Sequence, residues 1–384
     1  MEFDVQWLLT GVPVAFGLGW LASRLDLRQV KHEQQNSPKA YYKGLNLLLN
    51  EQQDKAIDAF IEAVQHDPDT TDLHFALGNL FRRRGEFERA VRVHQHLLDR
   101  ADLSSTDHDR AQYALAQDFL KAGLFDRAEQ AYRALEGTPF EVEARLALLG
   151  LYERSRDWLA AQETAVALER MGTGSFATRI SHYWCELAAE ADAKGHTAEA
   201  EAALQRACAA APHLARPWLV MGQRWVARQQ PEAALAAWQE LRTRASTHFP
   251  LIALDYAEQA VRLGQAQAAL EVIRSAYDAA PALDLLRAQA RLTGQPFAEL
   301  PELMQHLQRY PTLSAAQAVL SGLLAHPPVP ADVGAGVARA LEVAARPVQR
   351  YRCACCGFEA QRYFWQCPGC LSWDSFPPTR LDEQ

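Results

Sequence analysis

The chain has 384 residues, with 47 Asp and Glu against 39 Lys and Arg, a net charge of −8, and no basic run longer than Arg82-Arg83-Arg84. That balance argues against nucleic acid as a partner. No Gly-rich phosphate loop, Gly-x-Ser-x-Gly elbow or His-Glu-x-x-His pair occurs, and no Cys/His/Asn grouping stands out, so the chain reads as a non-enzyme.

Val5 to Ser23 carries no charged residue. At 1.5 Å per residue, about nineteen helical residues reach ~28 Å, close to one hydrocarbon thickness. Trp7 and Trp20 stand near the two ends, where interfacial aromatics belong, and Pro13 and the glycines are tolerated in a span. Glu2 and Asp4 precede the run, while Arg24, Arg28 and Lys31 follow it. Positive charge stays on the cytoplasmic side, so residue 1 is expected outside and the bulk of the chain in the cytoplasm. A cleaved signal peptide is the rival reading, but it wants a basic start. Residues 1–24 are therefore read as a single transmembrane helix and 25–36 as a cytoplasmic connector.

From 37 to 325 the sequence is helical in period and repeats at about 34 residues, giving about eight or nine tetratricopeptide repeats with the last ones degenerate. Trp218-x-x-Met221-Gly222-x-x-Trp225, followed by Ala234, Trp238 and Leu241, fits the pattern best. Gly44, Leu47, Ala56, Phe60 and Ala63 fit it too, as do Leu77, Gly78, Phe81, Gly85 and Ala90. Further copies carry Gly123 and Ala128, Tyr152 and Ala161, Gly195 and Ala200, Gly264 and Ala269, and finally Gly294 with Pro311. Small residues sit where the helices of a hairpin touch, large ones fill the layers, and glycine opens the turn. Wider intervals near Leu103–Asp109 and Gly172–Arg179 read as longer loops between repeats. Cys185 and Cys208 fall within repeat helices, as small buried thiols. Most of the twelve histidines read as surface or satisfied core residues.

An array without catalytic residues is a binding surface. The first helix of each hairpin is expected to line the groove, which places Asn79, Arg82, Arg83, Tyr113, Gln117 and Lys121 on it. That mixture suits an extended or acidic peptide, and a solvated helix face is the alternative.

His326-Pro-Pro-Val-Pro330 breaks the helical pattern. Residues 326–346 read as a linker with a short helix around Val337–Ala345, and 347–384 as a small metal-binding domain. Cys353-x-x-Cys356 and Cys367-x-x-Cys370 are two knuckles separated by Gly357 to Gln366, enough chain to run out and back. This spacing reads as one four-thiolate site for one metal ion, with Cys355 pointing elsewhere. So short a segment buries too little apolar surface to fold without metal. Tyr351, Phe358, Trp365 and Trp373 are expected to form its aromatic core, and the segment is expected to pack against the repeats.

The stretch Tyr351–Cys370 resembles rubredoxin, departing from it at Cys355 and at Leu371, where a second glycine is usual. Iron and zinc both accept a tetrahedral four-sulfur shell. The whole architecture is all-α: a tetratricopeptide-repeat solenoid with an N-terminal transmembrane helix and a small C-terminal rubredoxin-like knuckle domain carrying four cysteine ligands. In that order the parts resemble the lipopolysaccharide assembly protein B family of Gram-negative bacteria, over the whole chain. The resemblance implies a single-pass inner-membrane regulator of lipopolysaccharide biosynthesis. It would act as an adaptor for a membrane-bound AAA+ protease, promoting proteolytic turnover of the lipid A deacetylase. It implies Cys353, Cys356, Cys367 and Cys370 as ligands, with iron the family's usual label. A general assembly scaffold or co-chaperone for envelope proteins and a rubredoxin-like electron carrier stay open, as does self-association.

Overall fold

The computed structural model describes Phe16 and residues 42–47, 49–50, 52–66, 70–324 and 331–383. The span read at Val5–Ser23 and the connector at 25–36 lie, Phe16 apart, outside the described residues. No helix among the described residues is long and apolar enough to cross a membrane.

The chain divides into two compact units, Met1–Asp157 and Trp158–Gln384. The first holds α1 (Gln53–His66), α2 (Thr71–Arg83), α3 (Phe87–Leu98), α4 (Ser105–Lys121), α5 (Phe125–Arg133) and α6 (Glu141–Ser155). The second opens with α7 (Trp158–Arg170), α8 (Ala177–Ala193), α9 (Thr197–Ala210), α10 (Ala215–Ala227) and α11 (Pro231–Arg244). A 3-10 segment (Ser246–Ile252) leads to α12 (Ala253–Arg262), α13 (Ala266–Ala279), α14 (Leu283–Thr293), α15 (Pro301–Arg309), α16 (Leu313–Leu324) and α17 (Ala331–Ala345). Within each unit consecutive helices pack on one another, as a tetratricopeptide array requires.

Two features of the repeat explain this packing. The hairpin turns need one residue in the left-handed region, and Gly85, Gly123, Gly195, Gly264 and Gly294 supply it at φ between 70° and 79°. In two turns a residue with a side chain does so instead: Arg156 and Gln229, both at φ 58°. The second feature is a close approach between the two helices of a hairpin. A Cβ on Gly44 would lie 2.8 Å from the Phe60 ring, and one on Gly78 would lie 2.5 Å from the His94 ring. Gly222 has the same relation to Trp238, which is fully buried. Each glycine thus makes room for the large ring sixteen positions later, and the pair fills the hairpin to native density.

Some boundaries differ from the reading of the sequence. The interval at Leu103–Asp109 is mostly helix, because α4 begins at Ser105 and Ser104 caps it by accepting from the Asp107 amide at 3.1 Å. The interval after Gly172 is a loop only as far as Phe176. The helix expected around Val337 begins at Ala331. Cys185 is buried as expected, and burial pushes its thiol up to about 12.

Residues after Arg346 form a small segment with one antiparallel pair, β1 (Tyr351–Arg352) with β2 (Glu359–Ala360). Its core is Tyr351, Cys353, Cys367 and Phe376, flanked by Tyr363, Phe364 and Leu251 from the repeats. Of the four aromatics expected there, only Tyr351 belongs. Phe358 is 41% exposed, and Trp365 and Trp373 turn outward onto the repeats.

Candidate metal centre and repeat groove

The two knuckles are built alike. Cys353 Sγ takes hydrogen bonds from the amides of Cys355 and Cys356, and Cys356 Sγ from that of Phe358. Fourteen residues on, Cys367 takes them from Gly369 and Cys370, and Cys370 from Ser372. The turns that aim these amides need a left-handed residue directly after the second cysteine. Gly357 provides it at φ 76° in the first knuckle, and Leu371 adopts it at φ 60° in the second. The rubredoxin-like turn therefore forms despite the missing glycine, at a steric cost of about 1–2 kcal/mol.

The four sulfurs lie within 4.8 Å of one another. Cys353 and Cys370 are 3.8 Å apart, and Cys356 and Cys367 are 3.6 Å apart. Sulfurs at about 2.3 Å from a tetrahedral ion stand about 3.8 Å from each other, so the set fits one metal ion. Six amides aimed at the sulfurs also suit thiolates better than thiols. Against the effect of its own burial, the Cys353 thiol is drawn down to about 6 by Ser375 and the amides of Cys356 and Cys355, whereas the neighbouring thiols outweigh the Phe358 amide and push Cys356 up to about 12. Cys353 and Cys367 are buried, whereas Cys356 and Cys370 face solvent. Cys355 is exposed and stands outside the four-sulfur group, as its place in the turn required.

The segment is fastened to its own unit along two seams. In the first, Trp365 stacks on His248 at 5.8 Å, and Trp373 stacks on His182 at 4.5 Å. In the second, tail carboxylates meet helix starts. Glu383 accepts from the Leu283 amide at 3.4 Å, and Asp382 from the Ser314 amide at 3.1 Å. Arg380 pairs with Asp284 at 3.2 Å. These carboxylates satisfy amides that the first turns of α14 and α16 leave open. Burial raises the Glu383 carboxyl above its ordinary value.

The groove residues are distributed differently from the reading of the sequence. Arg82 Nη1 donates to Asp118 Oδ1 at 2.8 Å and to the Ala114 carbonyl at 3.1 Å, and Nη2 donates to Asn79 Oδ1 at 2.5 Å. Asp118 is fully buried, and its other oxygen lies 2.5 Å from His94 Nδ1. Arg82 and Asn79 thus belong to a network joining α2, α3 and α4. Tyr113 stacks on Phe140 at 5.5 Å, and Gln117 is half-buried. Arg83 and Lys121 are exposed. Asp118 and His94 were missed, although an aspartate inside Ala114-Leu-Ala-Gln-Asp-Phe119 and a histidine where the repeat wants a large ring are both visible signals.

A family model described as the rubredoxin metal binding domain matches residues 351–378. Lipopolysaccharide assembly protein B of Escherichia coli (strain K12) is 31% identical over 394 residues, covering 98% of this chain and 98% of that protein. The protein of the same name from Haemophilus influenzae is 25% identical over 413 residues, covering 99% of each. Among solved structures, a tetratricopeptide repeat protein from Parabacteroides merdae is similar at 14% identity and a TM-score of 0.35, over 67% of this chain and 99% of that one. The end-to-end relationship to the Escherichia coli protein, with the four-cysteine centre and the repeat hairpins, makes this chain a member of the lipopolysaccharide assembly protein B family.

Proposed function

We propose that the chain is a non-enzymatic adaptor of the bacterial inner membrane, with its amino terminus periplasmic and its repeats cytoplasmic. In this reading it brings the lipid A deacetylase to a membrane-bound AAA+ protease and so promotes the deacetylase's turnover. The observation that carries the reading is similarity along 98% of both chains to a protein named for lipopolysaccharide assembly. A repeat array supports it, because packed hairpins offer long surfaces for other proteins. Anchoring would confine adaptor, protease and client to one surface, raising their effective concentration without any new contact. Arg83 and Lys121 are the groove residues free to meet an acidic partner.

Cys353, Cys356, Cys367 and Cys370 would hold an iron or zinc ion, which would supply a cross-link between the knuckles. The chain's own residues do the rest: Trp365, Trp373, Arg380 and the tail carboxylates join the knuckle domain to α8, α10, α14 and α16, making one platform of them. A pull-down of the full-length protein from detergent-solubilised membranes tests this. Recovery of both the protease and the deacetylase is expected. Recovery of other envelope complexes with neither of these two would replace the adaptor with the general scaffold.

A further inference from the structure

Trp373 and Asp374 sit in a pocket that the repeats build for them. The Trp373 ring lies parallel to His182, with 17° between the planes, and meets Trp158 and Tyr183 edge-on at 6.1 and 6.0 Å. The Arg216 guanidinium stands 5.7 Å from the same ring, within cation–π range. Asp374 Oδ2 is 2.8 Å from His182 Nε2. Arginine can only donate, so the 3.4 Å contact from Arg216 Nη1 makes His182 Nδ1 an acceptor and places the ring proton on Nε2, toward Asp374. Arg216 Nη2 donates to Glu186 Oε1 at 2.6 Å. His182 is fully buried, and Arg216 Nε is buried without a hydrogen-bond partner.

His182, Glu186 and Arg216 all come from α8 and α10, the first helices of their hairpins. That is the face on which the sequence placed the groove. In this unit the chain's own aromatic–aspartate pair occupies it. The occupant is also tied to the metal site. Trp373 bridges to Gln366, the Cys367 amide donates to the Ser372 carbonyl at 2.9 Å, and the Asp374 amide donates to the Trp365 carbonyl at 2.9 Å. The turn that presents Trp373 and Asp374 therefore hangs on the second knuckle.

We propose that the pocket of Trp158, His182, Tyr183, Glu186 and Arg216 is a binding site for an aromatic–aspartate segment of a partner protein, held closed by Trp373 and Asp374 while the four cysteines carry metal. The chemistry of the partner segment is read from the occupant: a flat ring to stack on His182 beside a carboxylate to accept from it. A tethered occupant competes at an effective concentration on the order of millimolar, so a partner gains access when the knuckle loosens. Apparent affinity then rises in proportion to the open fraction.

The test uses the full chain and a fluorescein-labelled peptide with the sequence of Leu371–Phe376, read by anisotropy. Trp373→Ala/Asp374→Ala, with all cysteines retained and metal content verified, opens the pocket. Saturable binding at least about tenfold tighter than to loaded wild type is expected, and Arg216→Ala in the open background should abolish it. Wild type stripped with a chelator provides a second open form if the double variant loses metal. An open form that keeps its helicity and does not bind the peptide would overturn the proposal, and so would binding indifferent to Arg216. Deacetylase turnover does not enter this readout, so its outcome is separate from that of the adaptor reading.

Discussion

Replacing Arg82 by alanine separates a structural role from a groove role. Asp118 is fully buried, and Arg82 gives it a 2.8 Å charge-assisted bond from a side chain that is itself 17% exposed. Removing one member of a buried pair costs about 3–5 kcal/mol, because the remaining charge loses its compensation. His94 still contacts the second oxygen of Asp118, and water can reach the space that the guanidinium vacates. The expected cost for Arg82→Ala is therefore at the lower end, about 3 kcal/mol. Helical arrays do not unfold as one cooperative unit, so a global midpoint is the wrong readout. Native-state hydrogen exchange of the amides in α2 and α4 is the right one, and protection there should fall about a hundredfold. A change below about threefold, together with lost partner capture, would contradict the reasoning and return Arg82 to the groove.

Three further expectations concern the metal segment. Cys355→Ser should keep one metal per chain by elemental analysis, whereas Cys353→Ser should lose it; equal loss would refute the ligand assignment. Leu371→Gly should relieve about 1–2 kcal/mol of left-handed strain at a side chain that is 36% exposed, and metal release to a chromogenic chelator should slow. Burial lowers the affinity of His182 for a proton, and Asp374 only partly offsets this. Its folded value is thus below the unfolded value of about 6.5, so the stability that it contributes is complete above that pH and is lost as pH falls below it. Protection in α8, taken relative to the intrinsic exchange rate at each pH, should fall on acidification below about pH 6.5, and His182→Gln should remove that dependence.

The four-cysteine cluster was legible because two Cys-x-x-Cys turns at that spacing have few other uses, and the same holds for the hairpin glycines, whose backbone few other residues tolerate. The hairpin turns at Arg156 and Gln229 were not legible, since each adopts the left-handed backbone with a side chain attached. The roles of Trp365 and Trp373 were hidden for another reason. Composition showed more aromatics than a small segment can bury, but the side each ring faces depends on residues such as His182 and His248, far away in sequence. Arg82 was read as a groove cation because its partner Asp118 lies a full repeat farther on.

The adaptor reading rests most directly on the lifetime of the lipid A deacetylase. It is to be followed by pulse-chase in cells that retain the protease, with the full-length chain present, with the chain depleted, and with a form lacking residues 1–23. A short half-life with the full chain, and a prolonged one in the other two strains, is the result the account predicts. An unchanged half-life on depletion would contradict it.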